Sequence, residues 1–285
     1  RNVPILAQNE NGPCPLLAIA NVLLLRGSIE IHPDRPQVGY EELVALVGDY
    51  LLVANSQLSF NEEVQANQAQ NLSDCMSQFP TLRRGLDVNV RFSGCQEFEY
   101  TQEHIVFDLC RVRILHGWVV DKQDKEVCFF LYNSYFSVVS RIVREGLVAQ
   151  SFLSKSASQL TYLGLVELHS TLGDNELCAF FRNNHFSTLY KMEGQLYVLV
   201  TDLGYLHEQA VWESAAAGPR NFRDARPCCD GGEQFRIFKK SCATGWPRPR
   251  ALAARAQHSR QRCHTSPQAD GVSGSMTSSL NIPRN

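Results

Sequence analysis

The sequence predicts an α+β fold in which an N-terminal helix packs on an antiparallel sheet, and three observations predict it. The run PLLAIANVLLL, residues 15 to 25, is apolar except for Asn21 and reads as a buried helix. Residues 176 to 202, ELCAFFRNNHFSTLYKMEGQLYVLVTD, place the turn signals Asn183-Asn184 and Met192-Glu193-Gly194 between three runs rich in Phe, Tyr, Val and Leu. That is the pattern of an antiparallel meander. Most of the chain between these two stretches carries apolar residues at helical spacing.

In chain order, residues 2 to 7 (NVPILA) are a short extended lead-in, kept out of helix by Pro4. The polar turn Asn11-Gly12-Pro13 runs into Cys14 and a helix to about Leu25, with Pro15 tolerated in its first turn and Arg26-Gly27 ending it. IHPDRPQVG is a loop. From Tyr40 to about Val53, Leu43, Leu46, Val47, Tyr50 and Leu51 share one face of a second helix. A third covers about 61 to 79 and stops at Pro80. Leu86 to Phe92 alternates apolar and polar residues strictly, as a strand with one buried face does. Thr101 caps a short helix through Cys110, and VRILHGWVVD is extended. Ser134 caps a helix that ends at Gly146, and a further helix covers about Gln150 to Leu172. On the middle strand of the meander, His185, Ser187 and Leu189 share one face, and Phe186, Thr188 and Tyr190 the other.

From about Ala215 the periodic apolar pattern stops. Residues 1 to 214 carry 15 Lys+Arg against 25 Asp+Glu, and the last 71 carry 12 against 4. A domain over 1–214 and a basic, largely disordered tail over 215–285 follow from that shift. The chain opens at Arg1, directly on the Cys14 motif, so an upstream region is expected to have been lost. The ten cysteines are scattered, without paired metal-type spacing; Cys228-Cys229 and Cys263-His264 lack a partner pair, so no metal or cofactor is expected. A reduced compartment, cytoplasmic or also nuclear, is the simplest setting. No signal segment or membrane span is read from the sequence.

Cys14 at a helix start lies where unpaired backbone amides and the helix dipole favour a thiolate. The alternative is a small buried residue ahead of a core helix. A cysteine protease also needs an imidazole to carry the thiol proton, a group to orient it, and donors for the oxyanion. His185 follows Cys14 by 171 residues, in the Cys-then-His order of papain-like enzymes. Gln8 lies six residues before Cys14, where papain-like proteases keep the glutamine of the oxyanion hole. Thr201 and Asp202 end the strand that pairs with the His185 strand, and either could orient the imidazole. A lone histidine is more often a satisfied structural residue; its pairing with Gln8 and Cys14 favours catalysis.

QNENGPCPLLAIANVLLLRG, GLDVNVRF, EFEYT, HGWVVD, LTYLGL, FFRNNHFSTLYK and VTDLGYL followed by VWES, in this order, closely resemble the MINDY family of deubiquitinating cysteine proteases over residues 3 to about 214. The resemblance implies a papain-like α+β domain with Cys14 as nucleophile, His185 as base and Gln8 as oxyanion donor. Thr201 corresponds to the threonine of the family's VTD motif and is preferred over Asp202 on that ground. It also implies hydrolysis of isopeptide bonds in lysine-48-linked polyubiquitin, with longer chains preferred. Polyubiquitin and ubiquitinated proteins are then the partners, the chain is expected to be a monomer, and neither a membrane nor a nucleic acid is expected as a partner. The family's ubiquitin contacts match Val88, Trp118, Tyr135 and Phe181. Trp118 suits an interface, whereas Val88 and Phe181 serve equally as core unless an exposed apolar patch holds them. Asn11 and Ser187 flank the catalytic residues and either hold the histidine at rest or serve as a turn residue and an ordinary strand serine.

Two stretches depart from the family. The segment between HGWVVD and REGLVAQ is short, and the chain turns basic after VWES, where the family continues acidic. Alternative splicing or a mispredicted reading frame would explain the second departure, as a hypothesis that one uninterrupted exon across codons 210 to 220 would count against. The altered ending also gives a rival reading, a catalytically impaired polyubiquitin-binding module. A third takes the Arg-rich tail with Trp246 as an RNA-binding arm, which requires salt-sensitive binding lost on deleting residues 215 to 285.

Overall fold

Residues 2–8, 13–32, 35–55, 62–121, 138–205, 211–216 and 234–241 are described by the computed structural model. The chain begins as a strand, β1 (Asn2–Leu6). Two others complete its sheet, β2 (Gln37–Gly39) and β8 (Gln234–Ser241), in the order β1-β8-β2. β1 is therefore an edge strand, and Pro4, which has no N–H to donate, suits the unpaired side of an edge. The next element, α1 (Cys14–Arg26), is buried at every position from Pro15 to Leu25. It ends at Gly27, whose φ of 71° is left-handed. There Ser28 N–H returns to the Leu23 carbonyl and Gly27 N–H to that of Leu24, which closes the helix end.

α2 (Tyr40–Asn55), α3 (Glu62–Leu82) and α4 (His104–Leu109) follow. Then come β3 (Ile114–His116), α5 (Val138–Lys155) and α6 (Tyr162–Thr171). β4 (Leu177–Arg182), β5 (His185–Met192) and β6 (Gln195–Leu199) form the meander, and β7 (Trp212–Ser214) closes the order β3-β4-β5-β6-β7. Both meander turns are two-residue turns, Asn183-Asn184 with φ of 54° and 55° and Glu193-Gly194 with 51° and 70°. Positive φ at both positions matches the right-handed twist of the flanking strands.

This sheet is covered on both faces. Leu177, Ala179, Phe181, Phe186 and Tyr190 belong to the core that holds α1. Cys178, Phe180, Leu189 and Leu196 meet Leu168 of α6 and Leu172 just after it in a second core. The split follows the strand period of two, and it puts α1 directly against β5. Thr188, on the α1 side of β5, donates its hydroxyl to the Ala18 carbonyl at 3.4 Å.

Several expectations are corrected. The five-stranded sheet is mixed, because β3 pairs with β4 in parallel; the extended nature of that segment was readable, its partner's direction was not. Leu86–Phe92 keeps the expected alternation, its odd positions exposed and its even ones half-buried. It makes only an isolated bridge, Val90 to Phe98, because alternation reports a covered face and not a partner strand. α3 runs two residues past Pro80, which removes one N–H bond close to the helix end, so the helix stops soon after it and not at it. α5 runs through Gly146, since one interior glycine lowers helix stability without ending a helix. The break comes instead at 156–161, where the Thr161 hydroxyl accepts from Gly164 N–H at 3.0 Å and starts α6. The loop expected over residues 31 to 39 contains β2. Within the tail from 215, residues 234–241 form β8, the central strand of the first sheet. Ser134 lies outside the described residues. All described residues fall in one compact unit, Arg1–Trp246, and none of their helices is long and apolar enough to cross a membrane.

Candidate active site

Cys14 is the first residue of α1, with Pro13 before it and Pro15 in the first turn, as the sequence implies. The thiol is half-buried, and burial pushes its pKa up. The backbone N–H of Phe186 and Cys14's own N–H act against this by donating to the sulfur, so two amides are aimed at the thiolate position. The net direction is upward, opposite to the expectation from the helix terminus alone. Desolvation at the half-buried thiol outweighs the two amide hydrogen bonds that favour the thiolate.

The Phe186 N–H that reaches Cys14 belongs to the residue next to His185, the first residue of β5. Burial pushes the His185 imidazole below its ordinary pKa, and the Asp202 carboxylate pulls it back up. A neutral ring near pH 7 is a proton acceptor, which a general base must be. The β5–β6 ladder ends at the pair Leu189–Val198, and beyond its end the Asp202 charge still acts on His185. Asp202 also accepts the Gly204 N–H through Oδ1 at 2.6 Å, which fixes its carboxylate at the start of a short 3₁₀ turn, Leu203–Tyr205.

Gln8 joins this group through its backbone. Its N–H donates to the Thr201 carbonyl at 2.8 Å, and it forms a parallel bridge with Asp202. Segments separated by more than 190 residues thus meet at Gln8, Thr201 and Asp202. Thr201 takes part through its main chain, while Asp202 is the neighbour whose charge acts on the imidazole. Both are half-buried.

Sequence reasoning missed Asn21. It is 1% exposed inside the apolar helix, where its Oδ1 accepts from Leu6 N–H at 2.8 Å and its Nδ2 donates to the Leu6 carbonyl at 2.9 Å. The signal was present as the one polar residue in PLLAIANVLLL, since a buried amide demands partners.

The expected ubiquitin contacts separate. Trp118 is half-buried on the stretch after β3, its indole N–H donating to Ser156 Oγ at 2.7 Å and its ring 5.0 Å from Phe92. A cavity of about 370 Å³ next to this stretch is lined by Val119, Val148, Phe152, Ser156, Leu160 and Tyr162, not by Trp118 itself. Val88 is half-buried and packs on the first core. Phe181 is 6% exposed, inside that core and 5.0 Å from Phe186, and offers a partner almost no surface. Tyr135 and Asn11 lie outside the described residues, and so do the tail cysteines and Trp246. Ser187 pairs with Phe180 across β4 and β5. Among the described residues no group of three or more His, Cys, Asp or Glu could hold a metal ion.

Comparison with known proteins agrees with the motif arrangement. The family model for MINDY deubiquitinases matches residues 1–145 and 137–218. The ubiquitin carboxyl-terminal hydrolase MINDY-2 of Mus musculus is 48% identical over 239 residues, 79% of this chain and 40% of that protein. MINDY-2 of Homo sapiens is also 48% identical over 239 residues, 79% of this chain and 38% of that one. MINDY-1 of Bos taurus is 47% identical over 224 residues, 74% of this chain and 48% of that one. The chain thus spans less than half the length of these relatives. The family's profile runs across three quarters of the chain, through Gln8, Cys14 and His185, and the chain belongs to the MINDY deubiquitinase family.

Proposed function

We propose that this chain is a cysteine-dependent deubiquitinase with a papain-like arrangement of its site, hydrolysing isopeptide bonds in lysine-48-linked polyubiquitin and preferring longer chains. Two observations support this: the N–H of Phe186, the neighbour of His185, reaches the Cys14 sulfur, and the Gln8 N–H bonds to the Thr201 carbonyl, next to Asp202, whose charge acts on His185. The relatives' name, ubiquitin carboxyl-terminal hydrolase, supports the substrate class. His185 takes the Cys14 proton as sulfur attacks the carbonyl carbon at the ubiquitin C-terminus. The oxyanion that forms accepts hydrogen bonds from the Gln8 side-chain amide and a backbone N–H at the start of α1. Collapse expels the lysine ε-amine, which takes the proton from His185 and leaves a thioester on Cys14. A water deprotonated by His185 then hydrolyses the thioester and frees both enzyme and ubiquitin.

Thr201 or Asp202 orients the imidazole, and Val88, Trp118, Tyr135 and Phe181 are the proposed ubiquitin contacts, of which Trp118 has the most support. The chain is proposed to act as a monomer in the cytoplasm, and also in the nucleus. The free thiols at Cys14, Cys75, Cys95, Cys110 and Cys178 fit a reducing compartment. The test is a ubiquitin probe with a C-terminal electrophile, together with digestion of ubiquitin chains of every linkage. Labelling of the protein that disappears in Cys14→Ala is expected, with lysine-48 chains cut first. Labelling that survives the substitution, or chain binding by the intact protein without hydrolysis, would sink the proposal.

A further inference from the structure

We propose that Asn21 is a positioning residue for catalysis: its side-chain amide, standing where a neighbouring strand's peptide group would, fixes the end of β1 and so aims Gln8. The inference rests on the reading of Gln8 as the oxyanion donor.

Among the described residues β1 pairs with β8 on one side, and on the other side Leu6 turns its N–H and C=O to Asn21. Leu6 is fully buried, so water cannot satisfy them. Asn21 satisfies both with one donor and one acceptor, as a peptide group in a ladder would. Any apolar side chain at 21 would suit the helix and leave both groups of Leu6 unpaired.

The helix that carries Asn21 also carries Cys14. Seven residues are almost two turns, about 10.5 Å along the axis, so the two share a face. Gln8 lies two residues beyond Leu6, about 6.7 Å along the strand direction. Its own N–H is then held by the Thr201 carbonyl, next to the residue whose charge reaches His185. The strand end bearing Gln8 is thus tied at Leu6 to the nucleophile's helix and at Gln8 to the histidine's neighbourhood. An oxyanion donor acts through its placement, and a misplacement of about 1 Å costs up to about 10²-fold in rate.

The test uses the full chain with lysine-48-linked tetraubiquitin as substrate, comparing Gln8→Ala, Asn21→Leu, Asn21→Asp and the Gln8→Ala/Asn21→Leu pair. Alkylation of Cys14 by iodoacetamide, measured without ubiquitin, counts intact nucleophile. Gln8→Ala is expected to lower kcat about 10²-fold. Asn21→Leu should lower kcat about tenfold or more, with KM and Cys14 alkylation nearly unchanged. In the Gln8→Ala background, Asn21→Leu should add almost nothing, because the group it positions is gone. Asn21→Asp keeps the acceptor for Leu6 N–H and should fall between wild type and Asn21→Leu; it carries the comparison if Asn21→Leu does not fold. An equal loss from Asn21→Leu in both backgrounds, or a loss of alkylatable Cys14 in proportion to kcat, would overturn the inference and leave Asn21 a purely structural residue. A Gln8→Ala enzyme with wild-type kcat would instead overturn the reading of Gln8 itself.

Discussion

Gly164 sits in the first turn of α6 against the backbone of Gly117, and replacing it by alanine tests how tightly that helix is seated. A Cβ built at Gly164 would lie 1.9 Å from the Gly117 carbonyl oxygen and 2.5 Å from its carbon. Contacts under 3.0 Å are essentially never made by real Cβ atoms, so α6 and the 117–119 stretch must separate by about 1 Å. The obstacle is backbone, which cannot swing aside as a side chain would. Four bonds cross this seam: Thr161 N–H to Gly117 O at 2.9 Å, the Thr161 hydroxyl to Val119 O at 2.7 Å and, more weakly, to Gly117 O at 3.4 Å, and Val119 N–H to the Thr161 hydroxyl at 3.4 Å. Losing the two shorter ones costs about 1 kcal/mol each, and overpacking a close contact adds about 1–3 kcal/mol. Gly164→Ala should therefore destabilise the protein by about 3–5 kcal/mol, near the upper end for single substitutions. At about 2–4 °C per kcal/mol for a unit of this size, that is a fall in Tm of roughly 6–20 °C. Differential scanning fluorimetry with a calorimetric check measures it. A Tm within 1 °C of wild type would mean that the Gly117–Gly164 approach is not as close as described. Gly164→Ser serves as an internal comparison, because it brings the same Cβ and should fall at least as far.

The site yields four further predictions. Asp202→Asn removes the charge that raises the His185 pKa, so the acid limb of kcat/KM should move to lower pH, whereas Thr201→Val should leave it in place; the opposite pattern would assign the orienting role to Thr201. Burial holds the Cys14 thiol above its ordinary pKa, so its alkylation without ubiquitin should be slower at pH 7.5 than that of a free thiol and still climb at pH 9; a plateau below pH 8 would refute this. His104, His116 and His185 are all held below the ordinary imidazole value by burial. The unfolded state then binds protons the native state refuses, so stability should fall as pH drops through about 6.5, by at most about 1.4 kcal/mol per pH unit for each histidine; a urea midpoint as high at pH 5.5 as at 7.5 would contradict it. Ending the chain after Ala216 removes β8, which pairs with both β1 and β2, and should abolish probe labelling although it removes none of Gln8, Cys14, His185 and Thr201; labelling at the full rate would show that β1 holds its place without β8.

What could be read from the sequence was what neighbouring residues decide. The meander was legible because Asn183-Asn184 and Glu193-Gly194 fix two-residue turns, and the turns fix the register of everything between them. α1 was legible in both bounds, from Pro15 at its start to Gly27 at its end. β8 was not, because a central strand's place depends on partners more than 190 residues away, and QFRIFKKS carries an apolar pattern too short to stand out in a basic tail. The motifs named Gln8, Cys14 and His185, but the chemistry of the thiol depended on burial. A helix start favours the thiolate wherever it occurs, and only packing reveals that the thiol is half-buried, so that desolvation prevails. The same limit applied to Phe181, which the sequence left open as core or contact because LCAFF is apolar throughout, and only the packing places it in the core that holds α1.

The candidate site draws on two sheets that share no ladder. Gln8 extends the three-stranded sheet, whereas His185 opens the middle strand of the five-stranded one. Two things join the sheets there: the Gln8–Thr201 main-chain bond and α1, which touches β1 through Asn21 and β5 through Thr188. Cys14 is rigidly part of the joining piece, so sliding of one sheet against the other would move Gln8 or His185 relative to the sulfur, with no need to disturb either sheet's interior. A buried polar bond at each contact is a better device against such sliding than apolar packing, since a hydrogen bond fixes position to tenths of an ångström and dispersion contacts do not. That gives Asn21 and Thr188, the two polar residues buried between α1 and the strands, a common physical purpose. It also accounts for a polar residue in a helix that is otherwise free of them from Pro15 to Leu25.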